Sequence, residues 1–206
     1  MITIHCAIFD FGGVITKPQA EQYVDRMSRL LEVEKDGFAR EYRKNRPDYD
    51  RGTVDGQGYW RRIASTFDRE IEDETIDALI EYDVKSWTVI NQDMKRYIRQ
   101  LQRNGVKTAV LSNINFDTIR HLEAHQKWIS RLDHRIFSCE LNMMKPEKAI
   151  YEKCLSEVGH APEECLFIDD LRANVQAADA LGIHTILFED SGRMMDEIGS
   201  NYRFEA

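Results

Sequence analysis

Apolar residues follow two rhythms along the 206-residue chain. In the first, apolar and β-branched residues run together over Ile4 to Phe9, Val106 to Leu111, Cys165 to Ile168 and Ile183 to Phe188. Such runs, too short for helices, predict strands buried on both faces. Three of them stop at polar or glycine breaks: Asp10-Phe11-Gly12-Gly13, Ser112-Asn113 and Asp169-Asp170. The second rhythm is helical. Met94, Tyr97, Ile98 and Leu101 share one face before the Asn104-Gly105 stop, and another helix starts near Phe116. Beyond a short apolar segment at Ile136-Phe137, Lys145-Pro146 is expected to open a helix carrying Ile150, Tyr151, Cys154, Leu155 and Val158. A further helix ends at Leu181-Gly182. Alternation of this kind predicts an α/β fold with a doubly wound parallel sheet, a Rossmann-like core.

Between Lys17 and Ser86 the strand rhythm disappears. Tyr23, Val24, Met27, Leu30 and Leu31 take one helical face, and Ile76, Leu79 and Ile80 another. The expected organisation is a core of residues 1–16 and 87–206 interrupted by a helical cap, residues 17–86. One full core and a small insertion suit a chain of this length.

Composition narrows the class. A formal charge of −8 argues against a general nucleic-acid binder. No apolar run approaches the ~20 residues of a membrane span, and the N-terminus has no signal-peptide pattern. Cys6, Cys139, Cys154 and Cys165 include no C-x-x-C pair, which points to reduced thiols and a cytoplasmic location.

The chemistry concentrates at strand ends, where open parallel sheets bind ligands. Asp10, Ser112-Asn113 and Asp169-Asp170 fall there, and Lys145 lies in the same alternating region. A carboxylate nucleophile, hydroxyl and amide donors, a cation and two more carboxylates suit phosphoryl transfer. Attack by one anion on another requires counter-charge, which a lysine and a divalent cation supply. Mg²⁺, which prefers oxygen ligands, fits carboxylates from Asp10 and Asp170 with the carbonyl of Gly12. Ser112 and Asn113 can donate to phosphoryl oxygens through hydroxyl and side-chain amide.

Ile8-Phe9-Asp10-Phe11-Gly12-Gly13-Val14, Leu111-Ser112-Asn113, Lys145-Pro146-Glu147 and Phe167-Ile168-Asp169-Asp170 with Asn174 stand in this order. Together they resemble the four motifs of the haloacid dehalogenase-like hydrolase superfamily. The chain looks most similar to its helical-cap phosphatases, the sugar-phosphate phosphatases and the phosphatase domain of soluble epoxide hydrolases among them. The resemblance implies Asp10 as nucleophile, Lys145 as charge neutraliser, and Ser112, Asn113 and Lys145 as phosphate binders. It further implies Asp10, Gly12 and Asp170 around the metal, Asp169 supporting them, and Asn174 orienting Lys145 or the acidic loop. The partner expected is a small phosphorylated metabolite, with no nucleic acid and no membrane, the protein being a monomer or homodimer.

One position departs from that pattern. Most phosphatases of the superfamily carry a second aspartate, the general acid and base, two residues after the nucleophile; here it is Gly12. A positioned acid contributes about 10²–10⁴-fold. The acid is then expected from the cap, a water or the substrate, with Arg46-Pro47-Asp48-Tyr49-Asp50-Arg51 a candidate to face the site. Two other readings stay open: a metal-independent 2-haloacid dehalogenase, and a phosphate-ligand binder without turnover. Asp169-Asp170 speaks against the former, because unbalanced carboxylates repel an anionic substrate. Arg40, Arg43, Lys44 and Arg46 are otherwise expected on a solvated face, His121 and His125 at the surface, and Trp60, Phe67 and Trp87 packing the cap and its hinge.

Overall fold

The computed structural model describes residues 1–206. Five parallel strands form the central sheet: β2 (Cys6–Phe9), β3 (Lys107–Ser112), β4 (His134–Phe137), β5 (Cys165–Asp169) and β6 (His184–Leu187), in the order β4-β3-β2-β5-β6. The chain steps outward from β2 to β4, then crosses back to β5 on the other side of β2. Strand order therefore reverses around β2, and the crevice at its carboxyl end is where such sheets take ligands.

Both sheet faces are covered, which explains why the strands read as continuous apolar runs. On one face Ala7, Phe9, Val110, Leu166 and Ile168 pack with Met94, Ile98 and Leu101 of α5 (Gln92–Arg103), Ile119 and Leu122 of α6 (Phe116–His125) and Ile198 of α10 (Ser191–Asn201). On the other, Cys6, Ile8, Ala109, Leu111 and Phe167 meet Ile150, Tyr151 and Cys154 of α8 (Lys148–Val158) and Ala178 of α9 (Arg172–Asp179). All four cysteines are free and buried.

Four helices, α1 (Glu21–Leu30), α2 (Lys35–Arg51), α3 (Gly56–Ser65) and α4 (Asp73–Trp87), lie between β2 and α5 and pack around Met27, Phe38, Tyr42, Trp60, Ile63 and Leu79. The two chain crossings between these helices and the sheet are tied by an antiparallel bridge, Thr16 to Ile90. A second tie lies at the end of α2, where Gly52 takes φ +80° and sits so close to the short helix α7 (Ser138–Leu141) that a Cβ there would stand 2.7 Å from the Cys139 carbonyl oxygen. Only glycine serves both demands.

The structure differs from the sequence reading in several places. The run Ile4 to Phe9 is broken at His5, whose N–H donates to the Glu164 carbonyl at 2.9 Å. Residues before the break form β1 (Ile2–Ile4), which pairs in parallel with a C-terminal strand, β7 (Tyr202–Phe204). β7 and α10 were not expected; three residues are too few to show a period, and β7 exists through its pairing with β1. Lys145-Pro146 does not begin α8, which starts at Lys148; the Lys145–Pro146 peptide is cis and belongs to the preceding loop. Leu30 is exposed, leaving Met27 and Leu31 as the buried residues of its stripe. No helix is long and apolar enough to cross a membrane.

Candidate active site

Three adjacent strands deliver their chemistry to one rim. Asp10 directly follows β2, Ser112 ends β3, and Asp169 ends β5 with Asp170 next. The Asp10 main-chain N–H donates to the Ile168 carbonyl at 2.9 Å, and its Oδ1 accepts the N–H of Phe11 at 2.7 Å. The chain then turns back over Phe11–Ile15, closed by the Thr16 N–H donating to the Phe11 carbonyl. Gly13 makes this turn at φ +80°, and the Asp170 carboxylate lies against it, its Cγ 2.8 Å from where a Cβ would stand.

Lys145, 4% exposed, reaches in from the loop before α8. Its Nζ lies 2.7 Å from Asp10 Oδ1 and 2.6 Å from Asp169 Oδ2. Asp169 is fully buried and also accepts the Leu171 N–H at 2.8 Å and the Asn174 amide at 3.0 Å. Its capacity is spent on holding Lys145 and the following loop. Asn174 reaches Asp169, which in turn pairs with Lys145, and makes no hydrogen bond to Lys145 itself. Asp10 Oδ2 and the Asp170 carboxylate carry no hydrogen bond or ion pair from a protein side chain.

Carboxylate oxygens of Asp10, Asp169 and Asp170 lie within 4.8 Å of one another. Three carboxylates and one ammonium leave a formal charge of −2 in a mostly buried cluster. Burial pushes the Asp10 carboxyl up to about 7, with Asp169 and Asp170 adding and the Lys145 ammonium opposing. Asp170 is likewise raised, by burial and then by Asp169. Burial alone would lower Lys145, but Asp10 and Asp169 outweigh it and hold the ammonium above its ordinary range. Excess negative charge with uncommitted oxygens is the donor set a hard divalent cation needs.

Ser112 is buried, and its hydroxyl makes only a 3.4 Å contact to the Asn113 carbonyl. Asn113 departs from expectation. Its Nδ2 donates to the Lys145 carbonyl and its Oδ1 accepts the Lys145 N–H, both at 2.9 Å. The side-chain amide expected to meet phosphate is committed to positioning the lysine.

A cavity of about 270 Å³ opens over this rim, bounded by Asp10, Ser112, Lys145 and Asp170 below and by Arg46, Asp50 and Trp87 above. Arg46 and Asp50 come from the polar segment expected to face the site, while Arg46 leaves the solvated face to which its neighbours were also assigned. Its Nε donates to both Asp50 oxygens at 2.8 and 2.9 Å, and its Nη1 to Asp83 at 2.7 and 2.9 Å and to the Tyr42 hydroxyl at 2.7 Å. Trp87, at the end of α4, lines the cavity, whereas Trp60 is buried among helices α1–α4. Asn115, fully buried, was not singled out; it caps α6 and donates to Asp50 at 3.2 Å. Its signal was the cap position before Phe116. The rings of His121 and His125 stack at 4.4 Å, outside the cavity.

The sequence model of the haloacid dehalogenase-like hydrolases matches residues 4–182. The chain belongs to this family. It is 29% identical over 113 residues to bifunctional epoxide hydrolase 2 of Rattus norvegicus, covering 53% of this chain and 20% of that protein. It is 33% identical over 100 residues to the sesquiterpene phosphatase astK of Aspergillus oryzae, 48% of this chain and 50% of that one. The matches thus span between a fifth and a half of these relatives. Among solved structures, a haloacid dehalogenase-family enzyme of Bacteroides thetaiotaomicron in complex with magnesium and inorganic phosphate superposes with a TM-score of 0.74 at 21% identity, covering 93% of this chain and 98% of that one. An L-2-haloacid dehalogenase of Xanthobacter autotrophicus superposes with a TM-score of 0.68 at 18% identity, covering 96% and 83%. These structural matches establish the fold of this haloacid dehalogenase-like hydrolase.

Proposed function

We propose that this hydrolase is a magnesium-dependent phosphatase that cleaves a small phosphate monoester through an aspartyl-phosphate on Asp10. The observation that carries the reading is the division of labour among carboxylates. Asp169 is consumed in fixing Lys145, Lys145 is fixed against Asp10, and Asp170 is left unpaired on the same rim. A site for an uncharged or singly charged carbon electrophile has no use for that surplus.

Asp10, held by Lys145 and by the Phe11 N–H through Oδ1, keeps Oδ2 clear of protein donors. A carboxylate oxygen attacks phosphorus, the bond to the leaving oxygen breaks, and the alkoxide departs with its electron pair and takes a proton. Water then cleaves the aspartyl-phosphate, releasing inorganic phosphate and restoring Asp10. Lys145 balances charge on the transferring group, and Ser112 donates its hydroxyl to a phosphoryl oxygen. Asp10, Asp170 and the Gly12 carbonyl would hold Mg²⁺, which supplies charge neutralisation at the phosphoryl oxygens. Asn113 serves through its grip on Lys145, and Asn174 through Asp169.

Gly12 leaves leaving-group protonation to another group. Its backbone is ordinary (φ −70°, ψ 127°), and a Cβ there would meet the Trp87 ring at 3.6 Å. That same position favours the second reading, metal-independent haloacid dehalogenation, in which a halide departs without a proton. The test is hydrolysis of p-nitrophenyl phosphate and a panel of phosphomonoesters by wild type and Asp10→Asn, with and without Mg²⁺. Turnover requiring both Asp10 and Mg²⁺ supports the phosphatase; equal activity in the two proteins overturns it.

A further inference from the structure

The chain carries 28 Lys and Arg against 36 Asp and Glu, yet the segments 94–109 and 124–132 hold seven of the former and none of the latter. The fold brings these two segments together. Lys95, Arg99, Gln102 and Arg103 follow one another at helical spacing on α5, beside its buried stripe of Met94, Ile98 and Leu101. Arg131 ends the short turn Ile129–Arg131 that precedes β4. Arg99, Gln102, Arg103, Trp128 and Arg131 line a cavity of about 440 Å³. Because α5 ends at Arg103 while β3 and β4 begin at Lys107 and His134, this cavity lies toward the amino ends of the strands, away from the rim that carries Asp10.

The wall is held in place from behind. Gln102 Nε2 donates to the Arg131 carbonyl at 2.9 Å and to the Thr108 hydroxyl at 3.1 Å, which pins the turn bearing Arg131 to α5 and β3. Trp128 is 7% exposed, donates its indole N–H to Gln126 at 3.2 Å, and has the Lys95 ammonium 5.2 Å from its ring centre. The buried ring thus supports a cation and offers little surface for stacking. Lys95, Arg99, Arg103 and Arg131 have no carboxylate within 4.0 Å, unlike Arg96, paired with Asp93, and Lys107, paired with Asp133. Asp133 also accepts the N–H and hydroxyl of Thr108, and it does not line the cavity. Four positive charges therefore share one concave surface without a counter-charge, and like charges so placed repel one another. The carbonyl end of α5 offsets only about half of one charge.

We propose that this cavity is a second ligand site, separate from the Asp10 rim, for a compact polyanion with two or more linked phosphates, either a free polyphosphate or the phosphate chain of a nucleotide. Guanidinium forks meet phosphate oxygens in pairs, and three of them are present. A single phosphate, carrying about −1.5 to −2, balances no more than half of the cluster. A long polymer would run past the cavity onto the surface of a chain whose net charge is −8 even with this cluster included. Binding here does not depend on which reaction Asp10 performs.

The test is calorimetric titration of the full chain with tripolyphosphate, ATP and inorganic phosphate. Mg²⁺ is left out, so that the negative Asp10 rim does not compete for phosphate. Arg99→Gln, Arg131→Gln and the double variant are titrated in parallel, with Arg40→Gln, on α2, as the control and circular dichroism as the check on folding. Tripolyphosphate should bind the wild type at least tenfold more tightly than inorganic phosphate and more weakly as salt is raised. Each cavity variant should lose about tenfold, the worth of one charge-assisted hydrogen bond, and the control should lose nothing. ATP bound as tightly as tripolyphosphate would support a nucleotide-borne chain, and ATP bound tenfold more weakly a free one. No tripolyphosphate binding at millimolar concentration, or binding unchanged in the double variant, would overturn the proposal. An oligonucleotide or a Glu-rich peptide bound more tightly than tripolyphosphate would also overturn it, making the cavity part of a macromolecular docking surface.

Discussion

Asn113 and Lys145 are joined by a closed pair of hydrogen bonds, side-chain amide to main-chain N–H and carbonyl, both 2.9 Å long. The amide has one donor and one acceptor end, and the lysine's main chain presents the complement. Asn113→Asp keeps the size but turns the donor into an acceptor facing the Lys145 carbonyl. We expect it to lower kcat/KM by about 10²-fold, the scale of a small displacement of a catalytic group. Stability should fall by about 1–3 kcal/mol, the cost of an unsatisfied buried pair. Steady-state kinetics and urea denaturation measure the two effects. Weakened phosphate binding with intact stability would point instead to a direct contact with the substrate.

Gly12 and Gly13 are adjacent yet should respond oppositely to alanine. At Gly13, φ is +80° and a Cβ would overlap the Asp170 carboxylate. Gly13→Ala should cost about 1–2 kcal/mol for backbone conformation alone, and more as Asp170 is displaced. At Gly12 a methyl meets only the Trp87 ring at ordinary contact distance. Gly12→Ala should change the thermal midpoint little, leaving the substitution visible in kinetics alone.

The contrast between these glycines shows what the sequence revealed and where it stopped. Asp10, Asp169 and Asp170 were legible because a parallel sheet sends strand ends to one rim, whereas Lys145, in the loop before α8, was read only from its place in the order of the motifs. The role of Asn113 was not, because it depends on the path of a loop 32 residues away. Arg46 was ambiguous for a similar reason. An arginine in a charged helical stretch reads as solvated until Asp50, one turn on, and Asp83, on another helix, are seen to bury it. β7 needed β1 to exist at all. Local pattern encodes the elements and the strand ends, whereas pairing across the fold assigns the remaining roles.

The proposed metal dependence rests on the unpaired Asp170 carboxylate beside Asp10. Adding Mg²⁺ to the wild type should raise the thermal midpoint, since a ligand at about 100 times its Kd stabilises by ~2.7 kcal/mol. Asp170→Asn removes one of the like charges from the cluster. The metal-free variant should therefore melt higher than the metal-free wild type, while losing the response to Mg²⁺ and the activity. A variant that melts lower without metal would show that Asp170 is held by the fold and is not strained by its neighbours.

The packing of helices α1–α4 depends on a buried ion pair in a separable way. Asp83 is fully buried with Arg46 and the Tyr42 hydroxyl against it. Asp83→Ala leaves a buried guanidinium half-paired and should destabilise by about 3–5 kcal/mol. Asp83→Asn, which retains an acceptor oxygen, should cost less. Denaturation monitored by tryptophan fluorescence follows the loss directly, because Trp60 and Trp87 both lie in this helical unit.

The two chemistries compatible with Gly12 separate in one experiment. A haloacid dehalogenase attacks carbon with Asp10 and expels halide, so it needs neither a cation nor a proton donor. It would also have to admit a carboxylate substrate beside Asp169 and Asp170, which lie within 4.8 Å of Asp10 and leave the rim at −2. Without a cation that charge repels the substrate, and with one bound the site regains the features of a phosphoryl-transfer centre. We therefore expect no halide from 2-chloropropionate in the presence of a chelator, and phosphate release from monoesters once Mg²⁺ is restored. Asp170→Asn should abolish the second activity without creating the first, because neutralising one carboxylate still leaves Asp10 and Asp169 against a single lysine. Halide release from the chelated wild type would reverse the assignment and make the acidic pair structural.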